Sequence, residues 1–297
     1  MNDIETRAPA MNAVAAPDAR LEKVAGGFAF TEGPIWHPEE RALIFSDMPG
    51  DHMRRWTTAG GVETFRQPSN MANGNAFDRD GRILTCEHAT SRVVRLEKDG
   101  ALTVLASHWD GKELNSPNDI ICGPDGAIWF TDPTFGRMEY YGLPRDQALD
   151  FQGVYRIGPD GTLALAAADF GQPNGLCLSD DGRTLFVNDT QHAHIRRFDV
   201  GADGALSGGA VWAAPEGEGP GAPDGMKLDA GGRLFCTGPG GVHVFAPDGA
   251  ALGVIRAPEV VANFTWGDDD LKTLYLTAST SLYRIRLEAP GRDLFRI

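Results

Sequence analysis

Asn174-Gly175-Leu176-Cys177-Leu178-Ser179-Asp180-Asp181-Gly182-Arg183-Thr184-Leu185-Phe186-Val187-Asn188-Asp189 reads as an apolar strand, a tight turn and a second apolar strand that ends on an acid. Asp181-Gly182 supplies the local hydrogen bond and the positive φ that such a turn needs. Asn174-Gly175 stands before the first strand and is a separate feature, since one hairpin does not need two turns. The second-strand phrase recurs as Leu43-Ile44-Phe45-Ser46-Asp47, Ile83-Leu84-Thr85-Cys86-Glu87 and Ile128-Trp129-Phe130-Thr131-Asp132, with weaker copies at Leu234-Phe235-Cys236-Thr237 and Leu274-Tyr275-Leu276-Thr277. An alternating phrase follows each copy, as in Val154-Tyr155-Arg156-Ile157 and Leu282-Tyr283-Arg284-Ile285, and has the pattern of a half-exposed strand. Further Asp-Gly turns lead to a fourth apolar stretch in several copies, such as Leu102 to Ala106 and Leu163 to Ala167.

Each unit therefore holds about four strands, and the residue that leads its first strand gives the period. These lead residues are Glu32, Asn73, Asn118, Asn174, Asp224 and Asn263, at spacings of 41, 45, 56, 50 and 39 residues. Six four-stranded units at that period predict an all-β, six-bladed β-propeller, in which radial repetition leaves only short sheet edges. Leu21 to Ala25 matches the fourth-strand phrase that the last unit lacks, so it is expected to close the ring on the final blade. The expected organisation is a loose tail over 1–20, rich in Ala and Pro, and one propeller domain over 21–297.

The first strand of each blade lines the central channel, so six residues in one phase should converge on one axis. All six carry side-chain oxygens. Carboxylates and amide oxygens facing one enclosed point are unfavourable without a cation, because unpaired buried carboxylates cost about several kcal/mol each or take up protons. One divalent ion at the centre resolves this. Oxygen donors favour hard ions, Ca²⁺ first, with Mg²⁺, Mn²⁺ and Zn²⁺ as alternatives.

The motifs Thr31-Glu32-Gly33-Pro34-Ile35-Trp36, Ser116-Pro117-Asn118-Asp119, Pro173-Asn174-Gly175-Leu176 and Pro223-Asp224-Gly225-Met226 together resemble the family of senescence-marker protein (regucalcin), gluconolactonase and luciferin-regenerating enzyme. The resemblance spans roughly residues 20 to 290. It implies a propeller lactonase with one catalytic divalent metal held by Glu32, Asn174 and Asp224, and with Asn118 as metal ligand or substrate contact. The regucalcin-like branch has an arginine where this chain has Ser116, so that branch's sugar contacts do not carry over. Cys86-Glu87-His88 looks more like the bacterial gluconolactonase branch. On this reading the ion polarises a lactone carbonyl, Asp224 is the general base, Asn73 contacts the sugar, and His88 hydrogen-bonds the sugar or serves as proton carrier, with a structural role as the alternative.

Asp132 and Asp189 at strand ends are read as caps or inter-blade hydrogen-bonding groups. Arg54, Arg95, Arg156, Arg197 and Arg284 recur in the third-strand phrase and are read as blade-to-blade packing. The long aromatic stretch from Pro133 to Gln152, with Phe135, Tyr140 and Tyr141, is expected to be a lid or a subunit contact. A net charge of −14 argues against nucleic acid and anionic membrane as partners. Cys86, Cys122, Cys177 and Cys236 lie far apart, which suits reduced thiols and a cytoplasmic location. A monomer or small homo-oligomer acting on a small sugar lactone is expected. Phosphotriester or fluorophosphate hydrolysis is the enzymatic alternative, and a non-catalytic calcium-binding propeller is the other.

Overall fold

In the computed structural model, which describes residues 3–295, each copy of the repeat is an antiparallel sheet whose strands follow chain order. Six such sheets form a propeller. The inner strands are Thr31–His37, Ala72–Phe77, Ile120–Cys122, Pro173–Leu178, Met226–Leu228 and Val261–Gly267. Glu22–Gly26 pairs with Ser281–Arg286 and supplies the outer strand of the last blade, so the ring closes as expected. The apolar faces of neighbouring blades pack on one another. Trp129 and Val154 of the third blade, for example, share one core cluster with Leu176, Leu185 and Phe198 of the fourth. Each such side chain contributes about 1.5–3 kcal/mol through burial.

The amino-terminal segment differs from the expected loose tail. Ile4–Thr6 adds a fifth strand to the outer edge of the fifth blade, with Ile4 opposite Ile255 and Thr6 opposite Gly253. A short 3₁₀ helix follows at Pro9–Ala13, and Met11, Val14 and Ala15 are fully buried. An open sheet edge needs partners for its backbone groups, and this segment provides them. Residues 1 and 2 of the segment lie outside the described residues.

The recurring arginines pair their charges within a blade, while Arg156 also packs against Gly204 of the fourth blade. Arg54 pairs with Asp47, Arg95 with Glu97, Arg156 with Asp125, Arg197 with Asp199 and Arg284 with Glu22, every partner lying in the same blade. They join neighbouring positions on one sheet. The four cysteines are buried and unpaired with each other. Among the described residues no helix is long and apolar enough to cross a membrane.

Candidate active site

The ring residues sit where the inner strands leave regular pairing. The ladder shifts register between Glu32 and Ile35, Ala72 and Asn75, Pro173 and Leu176, and Val261 and Asn263. Such a bulge re-aims a side chain. The glycine after the lead residue is there for close approach of the next blade. A Cβ on Gly33, which has φ +50°, would lie 2.0 Å from Asn73 O, and one on Gly175 would lie 2.0 Å from Asp224 O. Gly74 and Gly225 approach Asn118 and Asn263 in the same way.

The end of each second strand completes the scaffold. Ser46 Oγ donates to Asn73 O at 2.7 Å, Thr131 Oγ1 to Asn174 O at 2.8 Å, and Asn188 Nδ2 to Asp224 O at 2.6 Å, so one blade holds the ring residue of the next. The acid that follows caps the approach to its own inner strand. Asp132 accepts from the Asn115 and Ser116 amides at 2.8 Å each, and Asp189 accepts from the Gly171 and Gln172 amides at 2.7 and 3.0 Å. Asp132 and Asp189 are thus caps, as expected.

Glu32, Asn73, His88, Asn118, Asn174 and Asp224 all line one cavity of about 630 Å³. His88 is fully buried. Its Nδ1 donates to Tyr141 O at 2.8 Å, which leaves Nε2 to accept from Asn73 Nδ2 at 3.0 Å and to face Asn118 Nδ2 at 3.5 Å. Burial pushes the imidazole pKa down to about 4, so the ring is neutral near pH 7. Asn174 Nδ2 donates to Thr190 Oγ1 at 3.1 Å, and that hydroxyl donates to Pro223 O at 2.6 Å. These amide groups are oriented by their NH₂ partners. Asn73 Oδ1 and Asn174 Oδ1 are left buried with no hydrogen-bond partner.

Burial raises the pKa of both Glu32 and Asp224, and like charge adds to it: Asp119 acts on Glu32, and Glu32 and Asp119 act on Asp224. Two crowded carboxyls and the orphaned Asn174 Oδ1 form an oxygen-donor set that fits a hard divalent cation, and the orphaned Asn73 Oδ1 is left to a substrate hydroxyl. An orphaned buried acceptor costs about 1–3 kcal/mol, which a bound ion would recover.

Asn263, the sixth ring member, does not line the cavity. Its Nδ2 donates to Glu32 Oε2 at 3.1 Å, and its Oδ1 accepts from Lys227 Nζ at 3.0 Å and from the Phe264 amide. It positions Glu32. A second cavity of about 300 Å³ is lined by residues further along the inner strands, among them Ile35, Leu176 and Lys227, and by Arg292 to Phe295.

A second group of candidate metal ligands, Asp189, His192 and His194, has ligand atoms within 4.8 Å of one another. It lies outside the lining of the 630 Å³ cavity. Asp189 already accepts His192 Nδ1–H at 2.8 Å and four backbone amides, so its oxygens are satisfied without an ion.

Comparison with known proteins agrees with this geometry. The sequence profile of the SMP-30/gluconolactonase/LRE-like region matches residues 30–280. The chain belongs to this family. It is 31% identical to a gluconolactonase of Zymomonas mobilis, over 95% of this chain and 85% of that one. A pentonolactonase of Haloferax volcanii is 27% identical, over 89% and 93%. The solved structure of a gluconolactonase from Xanthomonas campestris superposes with a TM-score of 0.88 at 36% identity, covering 96% of this chain and 94% of that one.

Several residues of the site carry no signal in the repeat. Thr190 follows the acid at a strand end and holds Asn174. Tyr141 contributes a backbone carbonyl, which any residue type could offer. Its ring packs edge-on against Phe30, 5.3 Å between centroids, and Tyr140 donates to Ala29 O at 3.0 Å. The stretch from Pro133 to Gln152 thus reaches the first blade and contributes to the lining of the cavity.

Proposed function

We propose that this protein is a divalent-metal-dependent hydrolase that opens sugar lactones to aldonic acids. The observation that carries the reading is the convergence of Glu32, Asp224 and the orphaned oxygens of Asn73 and Asn174 on one cavity. Similarity along nearly the whole chain to proteins named gluconolactonase and pentonolactonase supports the choice of substrate.

Glu32, Asn174 and Asp224 would hold the ion, with Asn118 placed to share between ion and substrate. Ca²⁺ suits an all-oxygen set best. When bound, the ion supplies Lewis acidity to the lactone carbonyl. Asp224 accepts the proton of the attacking water, and that proton is the one the departing ring oxygen requires. Asn73 presents its free Oδ1 to a sugar hydroxyl. His88 donates to the Tyr141 carbonyl and fixes the Asn73 amide, so it orients the contact and does not carry a proton. Buried unpaired thiols agree with a cytoplasmic enzyme.

The test is a pH-indicator assay of the metal-stripped protein on aldonolactones and on a phosphotriester, with each divalent ion restored in turn. Lactone opening that returns with the ion supports the reading, and preference for the phosphotriester contradicts it. Asp224→Asn should retain some metal and lose most turnover. Near-normal turnover in that metal-loaded variant removes Asp224 as the base, and Glu32→Gln should mainly weaken metal binding.

A further inference from the structure

The charge of the cavity wall limits which lactones can enter. Among the described residues, no lysine or arginine lines the 630 Å³ cavity. Its floor carries the Glu32 and Asp224 carboxyls and neutral amides, and its upper wall is Phe30, Phe135, Tyr140 and Tyr141. The two arginines of the Pro133 to Gln152 stretch are committed elsewhere. Arg137 donates to Asn115 O at 2.9 Å and Leu114 O at 2.8 Å and pairs with Glu113, while Arg145 donates to His88 O at 3.0 Å and Leu143 O at 2.9 Å. Lys227 lines the other cavity and donates to Asn263 Oδ1. The Ser116 hydroxyl accepts from the Gly136 amide and donates to Pro133 O, so it is closed to substrate.

We propose that the site selects lactones that carry no charge and turns away those bearing an anionic group such as carboxylate, sulfonate or phosphate. This rests on the lactone-hydrolase reading. One divalent ion is balanced by Glu32 and Asp224, so a substrate anion would enter a cavity whose lining offers it no countercharge. Such an unpaired charge is a repulsive element of specificity.

The experiment compares D-glucono-1,4-lactone with D-glucaro-1,4-lactone on the calcium-loaded enzyme. The two share a ring and differ at C6, where CH₂OH is replaced by a carboxylate. The expected kcat/KM for the glucarolactone is at least about 100-fold lower, the consequence of burying an unpaired charge. Val260 lines the cavity wall, and Val260→Arg should narrow that gap at least about 10-fold by supplying a countercharge, with the gluconolactone still hydrolysed. A wild-type gap below about 10-fold overturns the inference whatever the arginine variant does, since the expected penalty exceeds it. Absence of hydrolysis of both lactones by ion-loaded wild type refutes the lactonase reading itself.

Discussion

Gly175→Ala tests how the scaffold sets the chemistry. An alanine Cβ at this position falls 2.0 Å from Asp224 O and 3.0 Å from Met226 N, where ordinary contact begins at 3.4 Å, so the fifth inner strand must retreat by more than an ångström. Gly175 has no positive φ, so backbone strain at the substituted residue does not enter. Overpacking of this kind costs about 1–3 kcal/mol. The Asn188 Nδ2 to Asp224 O hydrogen bond of 2.6 Å is stretched at the same time, adding about 1 kcal/mol. A loss of about 2–4 kcal/mol in a domain of this size lowers Tm by about 3–7 °C. Asp224 moves with its backbone, and a displacement of about 1 Å is worth about 100-fold in rate. Calorimetry and steady-state lactone hydrolysis read the two effects. Gly232→Ala is the control: Gly232 has φ +74° with nothing within 4 Å of the added carbon, so it should lose stability without losing kcat/KM. Unchanged hydrolysis by Gly175→Ala would refute the claim that this close approach positions Asp224.

Thr190→Val removes the hydroxyl that joins Asn174 to Pro223 and should weaken ion binding and kcat/KM by about 10–100-fold, as loss of a ligand's own partner does. Equal ion affinity in calorimetric titration would show that Asn174 needs no such support. Tyr140→Phe breaks the hydrogen bond that ties the Pro133 to Gln152 stretch to Ala29 O and should raise KM by about a few-fold with kcat retained; a changed assembly state with unchanged KM would make the stretch an interface. His243 and His88 are buried with pKa values pushed down to about 4 from 6.5, so folding favours their neutral forms. That stability is present above pH 6.5 and is lost as pH falls toward about 4. Thermal melts of His243→Asn should show a shallower acid slope than wild type.

The propeller was legible because its period is carried by residue types with fixed jobs. Asp-Gly turns need positive φ, and the phrase ends Ser46-Asp47, Thr131-Asp132 and Asn188-Asp189 each pair a donor for the next blade with a cap for their own. The ring of oxygens was legible from phase alone. Phase could not tell that Lys227 occupies the oxygen of Asn263, because Lys227 belongs to a neighbouring inner strand. The arginine partners depend on register across one sheet, which the repeat leaves open. The amino-terminal segment looked loose because Ile4, Met11 and Val14 are scattered among polar, Ala and Pro residues; their burial depends on the free edge of Ala251–Arg256, an element some 250 residues away.

The most direct measurement is a calcium titration of the metal-stripped protein in which heat and lactone hydrolysis are followed on the same sample. One ion per chain is expected, with hydrolysis rising from background and saturating at the same equivalence point, and both signals lost together in Glu32→Gln. Full hydrolysis before any calcium is added, in protein shown to be free of metal, would contradict metal dependence.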